Sequence, residues 1–90
     1  MKKTDLIKLV SKKTLISKKD ITKVVDSIFN TIQDALKNGE RVQIHGKGTF
    51  EVRHRTARKG RNPRNGKEII IEARNYPAFS AGKEWKEAIK

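Results

Sequence analysis

Residues 53–74 read Arg-His-Arg-Thr-Ala-Arg-Lys-Gly-Arg-Asn-Pro-Arg-Asn-Gly-Lys-Glu-Ile-Ile-Ile-Glu-Ala-Arg, and the rest of the chain is organised around them. Eight of these residues are cations: Arg53, Arg55, Arg58, Lys59, Arg61, Arg64, Lys67 and Arg74. Only Glu68 and Glu72 oppose them. Gly60, Asn62-Pro63 and Asn65-Gly66 place strong turn formers in the middle. An alternating run, Thr49-Phe50-Glu51-Val52-Arg53, leads in, and Lys67-Glu68-Ile69-Ile70-Ile71 leads out. Two strand-like runs around a turn predict a β-hairpin. It is too long and too basic for a plain sheet corner and reads as an arm that holds a polyanion.

The whole chain shares this imbalance, with 22 Lys and Arg against 10 Asp and Glu and a formal charge of +12. Such a charge strains a compact state and attracts nucleic acid or an anionic membrane. Ninety residues with 34% hydrophobic content make one small domain with a marginal core, which predicts an oligomer that shares a core. There is no cysteine, hence no disulfide framework and no thiolate metal site. No apolar run reaches signal-peptide or transmembrane length, and a cytoplasmic protein is expected. His45 and His54 have no Asp, Glu or Cys at ligand or catalytic spacing. Neither a Walker-type phosphate loop nor a dinucleotide fingerprint occurs. The residues therefore predict no catalytic site, no metal and no cofactor.

Working outward towards the N-terminus, residues 41–45 alternate, with Val42 and Ile44 on one face. Gly46-Lys47-Gly48 forms a tight turn, and Phe50 and Val52 continue the inward face. Ile21, Val24, Val25, Ile28, Phe29, Ile32, Ala35 and Leu36 recur at steps of three and four, which predicts a long amphipathic helix. Ser17-Lys18-Lys19-Asp20 resembles a capping box, with Asp where Glu is commoner, and Gly39 is the stop. Leu6, Ile7 and Val10 mark a shorter helix over 3–13, with Thr4 or Asp5 as its N-cap. Thr14-Leu15-Ile16 is the expected turn, with two buried anchors. Two helices joined by a short turn also suit a helix-turn-helix DNA reader. The second helix speaks against that, because its outward face carries Asp26, Asn30, Gln33 and Asp34 rather than arginines. Beyond the arm, the return strand should end near Tyr76-Pro77, since Pro77 cannot donate to a ladder. A last helix over 80–90 follows, with Ala81, Trp85, Ala88 and Ile89 facing inward. The order predicts an α+β domain: a helix pair, a three-stranded antiparallel sheet with one long hairpin, and a C-terminal helix. The body would comprise 1–52 and 75–90, and the arm 53–74.

Gly46-x-Gly48-x-Phe50 and Arg58-Lys59-Gly60-Arg61-Asn62-Pro63-x-Asn65-Gly66 resemble the HU/integration-host-factor family of bacterial DNA-bending proteins, more closely HU. Ser17-Lys18-Lys19-Asp20 and Ala78-Phe79…Gly82-Lys83 fall at matching places, and the resemblance covers essentially the whole chain. It implies an intertwined dimer with two arms around DNA in the minor groove and Pro63 wedged between base pairs at each tip. Phe29, Phe50, Phe79 and Trp85 are the aromatic candidates for the dimer core. Lys3, Lys83 and Lys86 match body positions that in the family approach phosphates between the arms. The chain departs from the family at Lys47, where Phe is usual, at Trp85, often Leu, and at Glu72 and Ala81, commonly Pro. The larger indole at Trp85 is expected to fill volume that Lys47 leaves, and Glu72 to keep the arm strand straight.

On the residues alone, Asn62-Pro63 reads first as an ordinary turn, although a rigid apolar Pro also suits a wedge. Ile69 and Ile71 share one side of a strand and Ile70 the other. Resting against sugars and closing the arm base are equally open to them. The DNA contacts expected are Arg53, Arg55, Arg58, Lys59, Arg61, Asn62, Pro63, Arg64, Asn65, Lys67, Arg74, Lys3, Lys83 and Lys86. The expected partner is double-stranded DNA, with bent, nicked or gapped forms preferred, bound by a homodimer or a heterodimer with a paralogue. The expected setting is the nucleoid. A site-selective binder of the same fold and a basic RNA-binding protein are the alternatives. The arm lacks the strand aromatics of an RNA-reading sheet.

Overall fold

The computed structural model describes all residues 1–90. Helix α1 spans Lys3–Thr14 and α2 Lys18–Lys37. Strands β1 (Val42–Ile44), β2 (Gly48–Arg55), β3 (Arg58–Arg61), β4 (Glu68–Ile71) and β5 (Arg74–Ala81) follow, and α3 (Lys83–Ala88) closes the chain. No helix is long and apolar enough to cross a membrane. The chain divides into two compact units, residues 1–34 and 35–90.

In the first unit α1 begins after Lys2, not at Thr4 or Asp5. Asp5 instead occupies the third helical position, and its Oδ2 accepts the Lys2 backbone N–H at 2.9 Å. That bond satisfies one of the amide donors a helix start leaves open. The helix ends at Leu15, whose N–H donates to Ser11 O at 2.9 Å and whose φ of 62° is left-handed. The Ser17 hydroxyl caps α2 by accepting the Asp20 N–H at 3.2 Å. Ile7, Ile21 and Ile32 are the buried apolar side chains; of the predicted stripe on α2, Val25, Ala35 and Leu36 are half-buried, and Val24, Ile28 and Phe29 lie exposed in the single chain. The expected anchors in the turn are a correction. Leu15 is 92% exposed, and Ile16 is exposed too, because the left-handed residue turns its side chain out of the helix pair. At the far end of α2, Gly39 takes φ 77° and donates to Leu36 O, while Glu40 N–H returns to Ala35 O. This is a glycine-ended helix cap.

In the second unit β1, β2 and β5 form an antiparallel sheet in the order β1-β2-β5, and β3 pairs with β4 alone. His45 lies in the turn before β2, not in a strand, and Lys47 N–H closes that turn on Ile44 O at 3.0 Å. The return strand does not stop at Tyr76-Pro77. It pairs with β2 from Arg55↔Arg74 through Val52↔Pro77 to Gly48↔Ala81. Pro77 is tolerated because β5 is an edge strand, where a missing N–H costs no ladder bond on the open side. The extra strand length shortens the last helix, which starts at Lys83 rather than Ser80 and buries no residue. Ile89, expected inward, is 82% exposed, and Ala88 is exposed as well.

Register divides the sheet into two faces, since cross-strand partners point the same way. Phe50, Val52, Phe79 and Pro77 share one face. Phe50 and Phe79 pack as tilted rings with centroids 4.9 Å apart, and Trp85 follows, also tilted, at 5.9 Å from Phe79. Phe79 and Trp85 remain partly exposed, as does Phe29 on α2. Gly48 sits where a Cβ would lie 2.4 Å from the Phe79 ring and 2.5 Å from Ser80 O, so only glycine fits. Lys47 does not enter this aromatic cluster. Its Nζ pairs with Glu84 Oε1 at 2.9 Å, which places the charge on the solvent side.

Candidate nucleic-acid interface

The hairpin predicted over 53–74 is built in two stages. Its base is the outer half of the β2–β5 ladder, up to the Arg55↔Arg74 pair. Residues 56–57 and 72–73 lie outside any strand, so Glu72 does not keep the arm strand continuous. Beyond this break, Arg58↔Ile71, Lys59↔Ile70, Gly60↔Ile69 and Arg61↔Glu68 make a second ladder. One face of it carries Lys59, Arg61, Glu68 and Ile70. The other carries Arg58, Ile69 and Ile71 around Gly60. A Cβ on Gly60 would lie 2.8 Å from Ile71 Cδ1, so the glycine lets the two isoleucines close over the strand. Ile70 is left 76% exposed on the opposite face.

The tip is held by asparagines. Asn62 N–H donates to Lys67 O at 2.8 Å, and Gly66 N–H donates to Asn62 O at 2.8 Å. Asn62 Oδ1 accepts the Arg64 N–H at 2.9 Å, and Asn65 Oδ1 accepts the Lys67 N–H at 3.0 Å. Both side chains thus work as local turn closers. Gly66, at φ 69°, supplies the left-handed step. Pro63 sits exposed at the apex of this bracing. The turn reading of Asn62-Pro63 is therefore correct, and the turn presents the pyrrolidine ring outward.

Ion pairing separates the cations. None of the five ion pairs in the chain uses Arg58, Lys59, Arg61, Arg64 or Lys67. The body behaves otherwise. Lys3 Nζ pairs with Asp26 Oδ1, so its charge is engaged in the isolated chain. Lys83 and Lys86, on α3, take part in no ion pair. At the arm base, Arg53 lies 2.9 Å from Glu51 Oε1 and donates to Ser80 Oγ at 2.9 Å. Arg55 lies over the Tyr76 ring, 5.0 Å from its centroid. Arg53, Arg55, Tyr76 and Arg74 share one face of the ladder by register. His54 lies on the other, with Nδ1 2.9 Å from Asn75 Oδ1.

Four participants escaped the sequence reading: Arg41, Glu51, Tyr76 and Ser80. Glu51 could have been found, because it stands two residues before Arg53 and so faces the same way on a strand. The others join that face only through the register of β5 and the approach to β1. Arg53 hydrogen bonds first, then the Arg53 and Arg41 charges and the Ser80 hydroxyl, hold the Glu51 carboxyl below its ordinary range, against the opposing effect of desolvation. No cluster of His, Cys, Asp and Glu is placed to hold a metal ion.

A family model described as bacterial DNA-binding protein matches residues 1–90. DNA-binding protein HU 1 of Bacillus subtilis is 57% identical over 89 residues, covering 99% of this chain and 97% of that protein. DNA-binding protein HU of Staphylococcus aureus is 53% identical over the full length of both. Among solved structures, HU of Anabaena in a cocrystal with DNA superposes with a TM-score of 0.93 at 39% identity, over 99% of this chain and 97% of that one. HU of Thermotoga maritima gives 0.71 at 36% identity over the whole of both chains.

Proposed function

The chain belongs to the bacterial DNA-binding protein family that contains the HU proteins, and on that premise we propose that it binds duplex DNA through the minor groove, largely without sequence preference, and bends it. The observation that carries this reading is the arm: a run of five cations that take part in no ion pair, around an exposed, braced proline. Arg58, Lys59, Arg61, Arg64 and Lys67 neutralise phosphates and release their counterions. Arg53, Arg55 and Arg74 continue the track at the base, and Asn62 and Asn65 fix the tip. Lys83 and Lys86 extend the footprint along the body, with Lys3 as a further contact once its ion pair opens. Pro63 wedges between base steps. The unstacking cost of a few kcal/mol is offset by contact along the bent duplex. The arm reads groove width and deformability rather than base edges, because the minor groove tells little beyond A·T from G·C.

The working form is a homodimer. Phe29 is 57% exposed and heads an apolar stripe with Val24 and Ile28. Such a stripe on a +12 chain needs a cover, and a second copy supplies one. The protein carries out no reaction of its own and works in the cytoplasm, associated with the nucleoid.

The wedge is tested with one duplex, intact and nicked, at matched salt. A nick removes part of a bending cost of about 1–6 kcal/mol, so nicked DNA should bind distinctly tighter. Pro63→Ala should narrow that preference while the protein melts at an unchanged temperature. Equal affinity of the unaltered protein for both duplexes would show coating without kinking. A preference for structured RNA over duplex DNA would favour the RNA-binding alternative.

A further inference from the structure

We infer that Arg41, Arg53 and Ser80 form a phosphate-binding site on the body sheet, separate from the arm tip, and that Glu51 occupies it as a built-in competitor. This rests on the DNA-binding reading above and adds to it a site and a residue that weakens binding. Glu51 Oε1 accepts from Arg53 Nε at 3.2 Å and from Arg53 Nη2 at 2.9 Å. The Ser80 hydroxyl lies 3.4 Å from the same oxygen, and Arg53 Nη2 also reaches Ser80 Oγ at 2.9 Å. On the other side, Arg41 Nε lies 3.8 Å from Glu51 Oε2. Two guanidiniums and a hydroxyl around two anionic oxygens are the donor set that a phosphodiester recruits.

The cluster lies on the face that also carries Arg55, Tyr76 and Arg74, continuous with the base of the arm. A duplex followed inward from the arm along that face meets it next. The donors are reachable: the side chains of Arg41 and Arg53 are 71% and 49% exposed, whereas Glu51 is 25% exposed. The carboxylate is thus the inner member and the guanidiniums the outer ones. A phosphate arriving from solvent competes with Glu51 for the same N–H groups and meets a net local charge of one rather than two. The arrangement makes the body a weak second contact and leaves the arm to set affinity.

The test is Glu51→Gln, which keeps the shape and an acceptor oxygen for Arg53 while removing the charge. Binding of one intact duplex is measured from low to moderate salt for the unaltered protein, Glu51→Gln, Arg53→Gln and the double variant, with thermal melting as a check on folding. The expected result is tighter binding by Glu51→Gln at low salt, and a log–log salt slope steeper by about 0.9 for each phosphate newly contacted. In the Arg53→Gln background the gain should shrink, because the guanidinium it frees is absent. An unchanged or shallower slope in folded Glu51→Gln, beside a steep slope in the unaltered protein, would overturn the inference and leave the arm mechanism standing. Salt-independent binding by every variant would overturn both.

Discussion

The body and the arm use charge in opposite ways. In the body and at the arm base, five cations are matched: Lys3 with Asp26, Arg41 and Arg53 with Glu51, Lys47 with Glu84 and Lys90 with Glu87. In the arm beyond the strand break, five cations have no carboxylate partner, although Glu68 and Glu72 are close in sequence. The two regions meet in one hairpin and share the same strand chemistry. What differs is where the acids stand. Glu51 is two residues from Arg53 and falls on its face, whereas Glu68 sits opposite Arg61 in the ladder without closing a pair. A charge that is neutralised internally supports the fold weakly. A charge left open is available for a ligand. Changes in the arm should therefore move salt-dependent binding most, and changes in the packed parts of the body should move stability, with Glu51 the one body residue expected to move both.

The largest stability effect should come from the aromatic cluster. Trp85→Leu removes the ring that packs 5.9 Å from Phe79 and should cost about 1–3 kcal/mol. Urea unfolding at two protein concentrations reads both this loss and the share of it that resides in the dimer. A midpoint unchanged at either concentration would remove Trp85 from the core and from any role in offsetting Lys47.

A smaller effect, of the opposite sign, is expected at Leu15. It is the one non-glycine residue with positive φ, and its side chain packs on almost nothing. The left-handed conformation costs an L-residue about 1–2 kcal/mol. Glycine relieves that strain but gives back about 0.5–1 kcal/mol through the freedom of its unfolded chain. Leu15→Gly should thus raise stability by up to about 1.5 kcal/mol, visible as a higher melting temperature. A lower one would show that the Leu15 side chain has a partner in the dimer.

The smallest effect concerns Glu51 and pH. Its carboxyl is held below the ordinary range, so its contribution to stability is present above the unfolded value of about 4.3 and is lost as pH falls through the folded one. The melting temperatures of the unaltered protein and Glu51→Gln should differ at neutral pH and converge in acid. A gap that persists unchanged at low pH would mean that the carboxylate charge is not what stabilises the cluster.

The arm, its turn and the stripe of α2 were legible because each rests on local pattern: charge density, Asn-Pro and Asn-Gly punctuation, and a period of three to four. The course of β5 was not legible. Pro77 looks like a strand end until the strand is known to lie at an edge, and edge position is a property of the sheet. The left-handed Leu15 was hidden for a related reason, since a glycine would have announced that conformation and a leucine does not. The Glu51 cluster draws on residues 41, 51, 53 and 80, and only register brings the last of these to the others. The absence of partners around the arm cations was equally invisible, because whether Glu68 or Glu72 closes a pair depends on cross-strand geometry that sequence distance does not give.

The contrast between the regions is tested most directly by a salt titration of duplex binding with the arm arginines Arg58, Arg61 and Arg64 replaced together by Gln. The unaltered protein should show a log–log slope of several units, at about −0.9 per phosphate. The triple variant should melt at the same temperature and bind with a slope shallower by about 0.9 for each arginine that held a phosphate. A full slope retained by the triple variant would contradict the division of labour between the regions, because the cations of the body would then carry the binding.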